Sequence, residues 1–410
     1  MAAGWGAIRK IISGRFEARD WLRLAGLAVL ASLSLFCAFL AHAHQPLSTF
    51  AEIACACALS LLLAWFLLRN VVLAALIACG PLPGVFILLA AISVQVAPVG
   101  FALALGLVVA VLIGGRLCAA NTSDDGARVA RVAARANTRL VATLVVAFLV
   151  PAFVAAATAI PNRAVEWCAA AGALALVSTG IVVQLGASLP FGGEDYVARA
   201  NRSREWFARV FAPILPVARP RFGISVFGIA CVTGAIAFFG SAPGSIGLWR
   251  PAAFALQAMA SSFAVLRDWR RSLAVLLATA WALQMGVWIV VRMSIAMTPA
   301  SLAACLIALV VVFALQLFVA QDSCGDILTE DDAVAASERA MESRAMMVTI
   351  AALAGLAAVL PFDRSAVAVC FGVTLAAGAV AAILFQPAVA IAIESLVPRA
   401  ATIAARYRLR

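Results

Sequence analysis

The sequence predicts an all-α, polytopic integral membrane protein of about twelve transmembrane helices in two six-helix repeats, and three observations predict it. Apolar residues make up 65% of the 410 positions and the mean hydropathy is +1.07, against roughly 45 to 50% apolar in an ordinary soluble domain. Apolar stretches close to the roughly 20 residues that a helix needs to cross the hydrocarbon recur along the chain, with charges confined between them. Finally, Gly106 to Pro151 and Leu309 to Pro361 share one plan: an apolar helix, a polar segment ending in Arg, then a second apolar helix with a proline.

The first half, residues 1–190, holds spans at Leu24 to Ala41, Phe50 to Leu68, Val71 to Ile92, Val99 to Gly115, Leu140 to Ile160 and Trp167 to Leu189. Pro81, Pro83 and Gly84 fall inside the third and predict a kink, because proline removes a helical hydrogen bond. A cytoplasmic linker, residues 191–222, follows. The second half, 223–410, holds spans at Gly223 to Phe239, Ala252 to Leu266, Leu273 to Val291, Ser301 to Ala320, Met346 to Leu360 and Val367 to Ala390.

Orientation follows from where Lys and Arg sit in the short loops. With the N-terminus in the cytoplasm, all of the 30 basic residues except Arg163, Arg250, Arg292 and Arg364 fall on that side. Both termini are therefore expected in the cytoplasm. The net charge of +11 reads as orientation and contact with anionic headgroups rather than as a nucleic-acid surface. The first span follows an Arg-bearing segment, as a signal peptide does; without a convincing small-residue cleavage site it is expected to stay as an anchor. The 10 cysteines are scattered, mostly inside spans, where they serve as small apolar packing residues, with no zinc or disulfide spacing. Lys10 is the single lysine, a usage typical of GC-rich bacterial genomes, so the bacterial inner membrane is the expected location.

The polar segments carry their own helices. Arg128, Arg131, Arg135 and Arg139 recur every three or four residues, with Val129, Val132 and Ala136 opposite, which predicts an amphipathic helix lying in the cytoplasmic interface. A partner-protein surface is the other use of such a face. Asp124 and Asp125 would stand at its N-terminus, where the helix dipole favours negative charge. In the linker, Arg199, Arg202, Arg204 and Arg209 accompany Trp206 and Phe207, a mixture suited to an interfacial helix. Thr329 with Asp332 approximates a capping box, and a helix from there carries Arg339 and Arg344 toward the eleventh span.

Several of these stretches resemble the transmembrane part of the resistance-nodulation-division (RND) superfamily. Thr49-Phe50-Ala51-Glu52-Ile53 and Phe66-Leu67-Leu68-Arg69-Asn70 bracket a span similar to that family's second; Phe101 to Val111 resembles its fourth and Val150-Pro151-Ala152-Phe153 the end of its fifth. Trp206 to Phe211 is similar to the interfacial helix after the sixth, and Arg344 to Pro361 to the eleventh. The resemblance implies a permease architecture. It also exposes two departures: the connections after spans one and seven, where the family inserts large extracytoplasmic domains, are short here. The family's relay carboxylates in span four are matched by Ala110 and Val111, Ser301 to Ala320 has no charge to match its span-ten lysine, and only Thr349 remains as a relay position. A buried ionisable group is costly and is kept where protonation must bias two conformations, so the resemblance leaves no proton coupling through this route.

The remaining candidates are uncharged or peripheral. Glu52 matches a family glutamate and is the one carboxylate close to the outer half of a span, where it either functions or simply reaches water. Gln184, Gln257, Gln284 and Gln316 either line a solute path or hydrogen-bond neighbouring helices, worth roughly 0.6 to 2 kcal/mol each. His42 and His44 near Cys55 and Cys57 suggest soft-metal capture, but positions two apart do not share a helix face, so no metal and no other cofactor is expected. Asp322, Asp326, Glu330, Asp331 and Asp332 raise a magnesium-dependent, membrane-embedded prenyl-type transferase; acids at a solvated helix start are the plainer account, and an enzyme is not expected.

The expected function is transport or export of an amphiphilic or lipid-like solute, in a complex with a membrane or periplasmic partner protein and without a recognisable proton relay. The alternative is a transport-inactive membrane subunit that scaffolds or regulates a partner.

Overall fold

The computed structural model describes residues 18–43, 45–68, 71–91, 97–121, 133–145, 163–187, 262–263, 266, 268–295, 299–322, 330–359 and 366–396, and these are helices joined by turns, with no strand among them. Among the described residues, six helices are long and apolar enough to cross a membrane: Trp21–His42, Leu47–Phe66, Val71–Ala90, Val99–Leu117, Trp269–Arg292 and Ala366–Ala390. Shorter apolar helices occupy Gly172–Gly186, Ala308–Gln321 and Ala345–Val359. Each coincides with an expected span. The seventh span, most of the eighth, the fifth beyond residue 145, the linker helix and Thr329 lie outside the described residues.

The helices group into two compact units, Met1–Phe207 with Met346–Val369, and Ala208–Ala345 with Cys370–Arg410. The first contains α1 (Ala18–His42), α2 (Leu47–Leu68), α3 (Val71–Cys79), α4 (Leu82–Ala91), α5 (Ala97–Asn121), α6 (133–145) and α7 (Arg163–Ala187); α7 lies along α5, with α2, α3 and α4 also against it, while α1 packs on α4 and α7. Every residue of Val99–Leu117 is buried, whereas only 17% of the first candidate span is. Phe39 and Leu22, 77% and 76% exposed, show what the outer helices offer instead: apolar surface for lipid.

Close packing around α5 depends on small residues, because in lipid the attraction between helices comes from contact rather than from water release. The third span breaks where its prolines predict, with Gly80 and Pro81 between α3 and α4, and Val85 N–H picks up Pro81 O at 3.1 Å. Gly84 then brings α4 against the Leu174 carbonyl of α7, so close that a Cβ would collide with backbone. Gly106 sits under Pro81 and Thr179, and Gly114 under Ile77.

The second unit contains α8 (Trp269–Arg292), α9 (Pro299–Asp322), most of α11 (Ala366–Val380), a π-helical turn (Ala381–Phe385) and α12 (Gln386–Leu396). Asp268 caps α8 by accepting the Arg270 N–H at 3.1 Å and lies 3.7 Å from Arg271 Nε. Gly286 meets Thr374 and Gly378 meets Val312, fixing α8 and α9 against α11. The helix α10 runs unbroken over Glu330–Val359, so the segment bearing Arg339 and Arg344 is one helix with the eleventh span. From Met346 onward it counts with the first unit, where Met347 Sδ would stand 2.9 Å from a Cβ at Gly115.

Candidate functional site

Ala110 and Val111, the positions matched to the family's relay carboxylates, are wholly buried in α5. Their neighbours along the helix, from Leu103 to Ile113, are apolar or glycine. Thr349, half-buried on α10, belongs to the same unit. The middle of α5 therefore packs against its neighbours without a group that could exchange a proton.

Polarity gathers instead toward the C-terminal end of α5. Arg116 is 7% exposed and the one charged side chain among the described residues to be so deeply enclosed. Its Nη1 donates to Asn137 Oδ1 at 3.0 Å. Asn137 has no exposed surface, and its Nδ2 has no hydrogen-bond partner among the described residues. Beside it, Gln184 Nε2 donates to Thr138 Oγ1 at 3.3 Å, and that hydroxyl donates to Ala134 O at 2.9 Å. Gly180 lets α7 approach Val141, which brings α6 within reach of α5 and α7. A buried guanidinium demands polar company, since an isolated charge in a low dielectric is costly.

Sequence reasoning missed this pair. The arginine repeat does place Arg135 and Arg139 on an exposed face, but residues 122–132 lie outside the described region. The face turned inward is Ala133, Asn137, Leu140, Val141 and Leu144 rather than one centred on Ala136, which is half-exposed. Spacing of three and four through Asn137 was the available signal: a polar residue on the apolar side.

The other candidates stand apart. Glu52 is half-buried in the second turn of α2, with no hydrogen bond or ion pair among the described residues. Gln316 has no exposed surface; its Nε2 donates to Gly378 O at 3.2 Å while its Oε1 finds no partner among the described residues. Gln284 is half-buried on α8, and Gln257 lies outside the described residues. Gln184 and Gln316 thus bond other groups, not each other. The His42 ring lies 5.9 Å from that of Phe50, and no group of three His, Cys, Asp or Glu that could hold a metal occurs among the described residues. Glu330, Asp331 and Asp332 form the first turn of α10, where the helix dipole favours acids.

No family model and no curated protein matches the chain. Among solved structures it is similar to the crystal structure of SecDF, a translocon-associated membrane protein from Thermus thermophilus, with a TM-score of 0.54 and 13% identity over 85% of this chain. The chain spans 62% of that protein, less than two thirds of its length. At such identity the likeness is one of fold alone: the chain is an all-helical, multi-pass membrane protein.

Proposed function

We propose that this chain is the membrane component of an export system in the bacterial inner membrane, moving an amphiphilic or lipid-like solute together with a partner protein that supplies the energy. One observation carries the reading: the central helix α5 is apolar and fully enclosed at Ala110 and Val111. A proton-driven permease needs an ionisable pair that biases two conformations from inside the bilayer, and this helix offers none at mid-depth. The similarity to a protein described as translocon-associated supports a role beside a partner. The outer helices, largely exposed and apolar, suit a solute that arrives from the lipid.

Purified protein in vesicles tests this. A fluorescent short-chain phospholipid is expected to equilibrate between leaflets faster than in empty vesicles and at the same rate with or without a pH gradient. Accumulation that follows the pH gradient, reduced by Glu52→Gln, defeats the uncoupled reading.

The second reading is a scaffold that transports nothing. The glycine contacts at Gly84, Gly106 and Gly114 favour it, because backbones packed that closely resist the sliding that alternating access requires. No acceleration of lipid equilibration, alongside one membrane protein that stays bound through purification, supports the scaffold. The acids at the start of α10 sit where they stabilise a helix, which supports a non-enzymatic role.

A further inference from the structure

The twelfth span, expected as one continuous helix over Val367 to Ala390, changes winding at Ala381–Phe385, a π-helical turn in which the Gln386 N–H donates to Ala381 O. The sequence explains why. Pro387 has no N–H to give to the preceding turn, and its ring crowds the carbonyl four residues back, so wider winding relieves a clash that α-helical winding would impose.

The helix before the turn is held at Thr374 and Gly378. Gly286 admits Thr374, whose Oγ1 would stand 2.6 Å from a Cβ there, Gly378 lies against Val312, and Gln316 Nε2 bonds Gly378 O. At the turn, Phe385 stacks on Trp281 with ring centroids 5.4 Å apart. Directly after it, Gln386 is 1% exposed, and its Oε1 has no hydrogen-bond partner among the described residues. An unmatched buried acceptor disfavours the present arrangement. Pro387 disfavours the regular one. Two opposed preferences at a single turn are what a bistable element needs, and π-helical turns within α-helices recur at functional sites.

We propose that Ala381–Phe385 is a two-state hinge of the twelfth span: the π-helical turn closes to α-helical winding and carries Gln386–Leu396 forward while Ala366–Val380 stays clamped. The displacement is that of one residue, about 1.5 Å along the axis and about 100° around it. Gln386 thereby leaves the position in which its oxygen is unmatched. The hinge stands whether or not the chain moves a solute, since it rests on the winding and contacts of one helix.

The test uses the full chain in lipid nanodiscs with nitroxide amino acids at Ala376, which is exposed, and Ile393, which is half-buried, and electron–electron distance measurement between them. Two distance populations are expected. Pro387→Ala restores an N–H and should move the ratio about tenfold or more toward the longer separation. Gln386→Leu removes the unmatched oxygen and should move it the other way. A single population in the otherwise unmodified chain overturns the hinge, as does failure of the two substitutions to act in opposite directions. Should Pro387→Ala not fold, Gln386→Leu decides alone: enrichment of the shorter separation upholds the hinge and an unchanged ratio overturns it.

Discussion

Arg116 Nη1 donates to Asn137 Oδ1 at 3.0 Å, with both side chains buried, and this bond ties the charged end of the central helix to the helix of the following polar segment. A hydrogen bond to a charged group is worth about 1.5 to 3 kcal/mol. Removing the acceptor also takes one hydrogen bond from a buried guanidinium.

Asn137→Ala is therefore expected to lower stability by about 1.5 to 3 kcal/mol, read as equilibrium unfolding in mixed micelles. Arg135→Ala and Arg139→Ala, on the exposed face of the same helix, should stay within about 0.5 kcal/mol. If Asn137→Ala proves as mild as Arg139→Ala, the bond contributes nothing to holding α5 and α6 together.

A second comparison isolates backbone approach. A Cβ at Gly84 would overlap the Leu174 carbonyl, which has no flexible end to give way, whereas one at Gly26 would meet only Leu185 Cδ1 at 3.5 Å, an ordinary contact. Gly84→Ala should cost about 1 to 3 kcal/mol or more, while Gly26→Ala should be neutral or slightly stabilising through helix propensity. Equal thermal midpoints for the two variants would show that α4 and α7 separate readily.

These residues also mark what a sequence can disclose. Local chemistry was readable: Pro81 announces the break between α3 and α4, and uninterrupted helix formers around Arg339 and Arg344 announce the long α10. Pro387 lies inside the twelfth span, yet that span was expected to run unbroken; the structure shows the helix widening just before this proline rather than ending there. Non-local partners were not readable. Nothing near Gly84 in sequence points to Leu174, and nothing near Arg116 points to Asn137, because each contact depends on how two helices register against each other. Glu52 and Gln184 drew attention as polar residues in apolar runs, yet of the two only Gln184 bonds a side chain on another helix among the described residues, that of Thr138.

Gln316 offers a prediction about polar groups in a dry interior. Its Nε2 bonds Gly378 O, but its Oε1 is unmatched, so the gain from one bond is offset by the desolvation of the other atom. Gln316→Leu should change stability by less than about 1 kcal/mol in either direction. Gln316→Glu, which places an ionisable group at a site with no exposed surface, should cost more than the Leu variant at neutral pH and recover part of the loss as acidification neutralises the carboxyl. Matching losses for Leu and Glu at pH 7 would mean that water reaches this position.

The sharpest prediction concerns Ala110. If α5 is an apolar remnant of a relay helix, restoring one carboxylate restores only a cost, because its buried neighbours Val108 to Leu112 carry no base to pair with it. Ala110→Asp is expected to destabilise the protein by about 2.5 kcal/mol or more, with the carboxyl held neutral rather than charged, and to leave lipid equilibration in vesicles as indifferent to a pH gradient as before. The outcome that would sink this is a folded Ala110→Asp variant that drives uphill movement from acid to neutral medium. A coupling partner would then already exist near mid-depth, and the enclosed helix would be a silenced pump rather than a core whose energy comes from elsewhere.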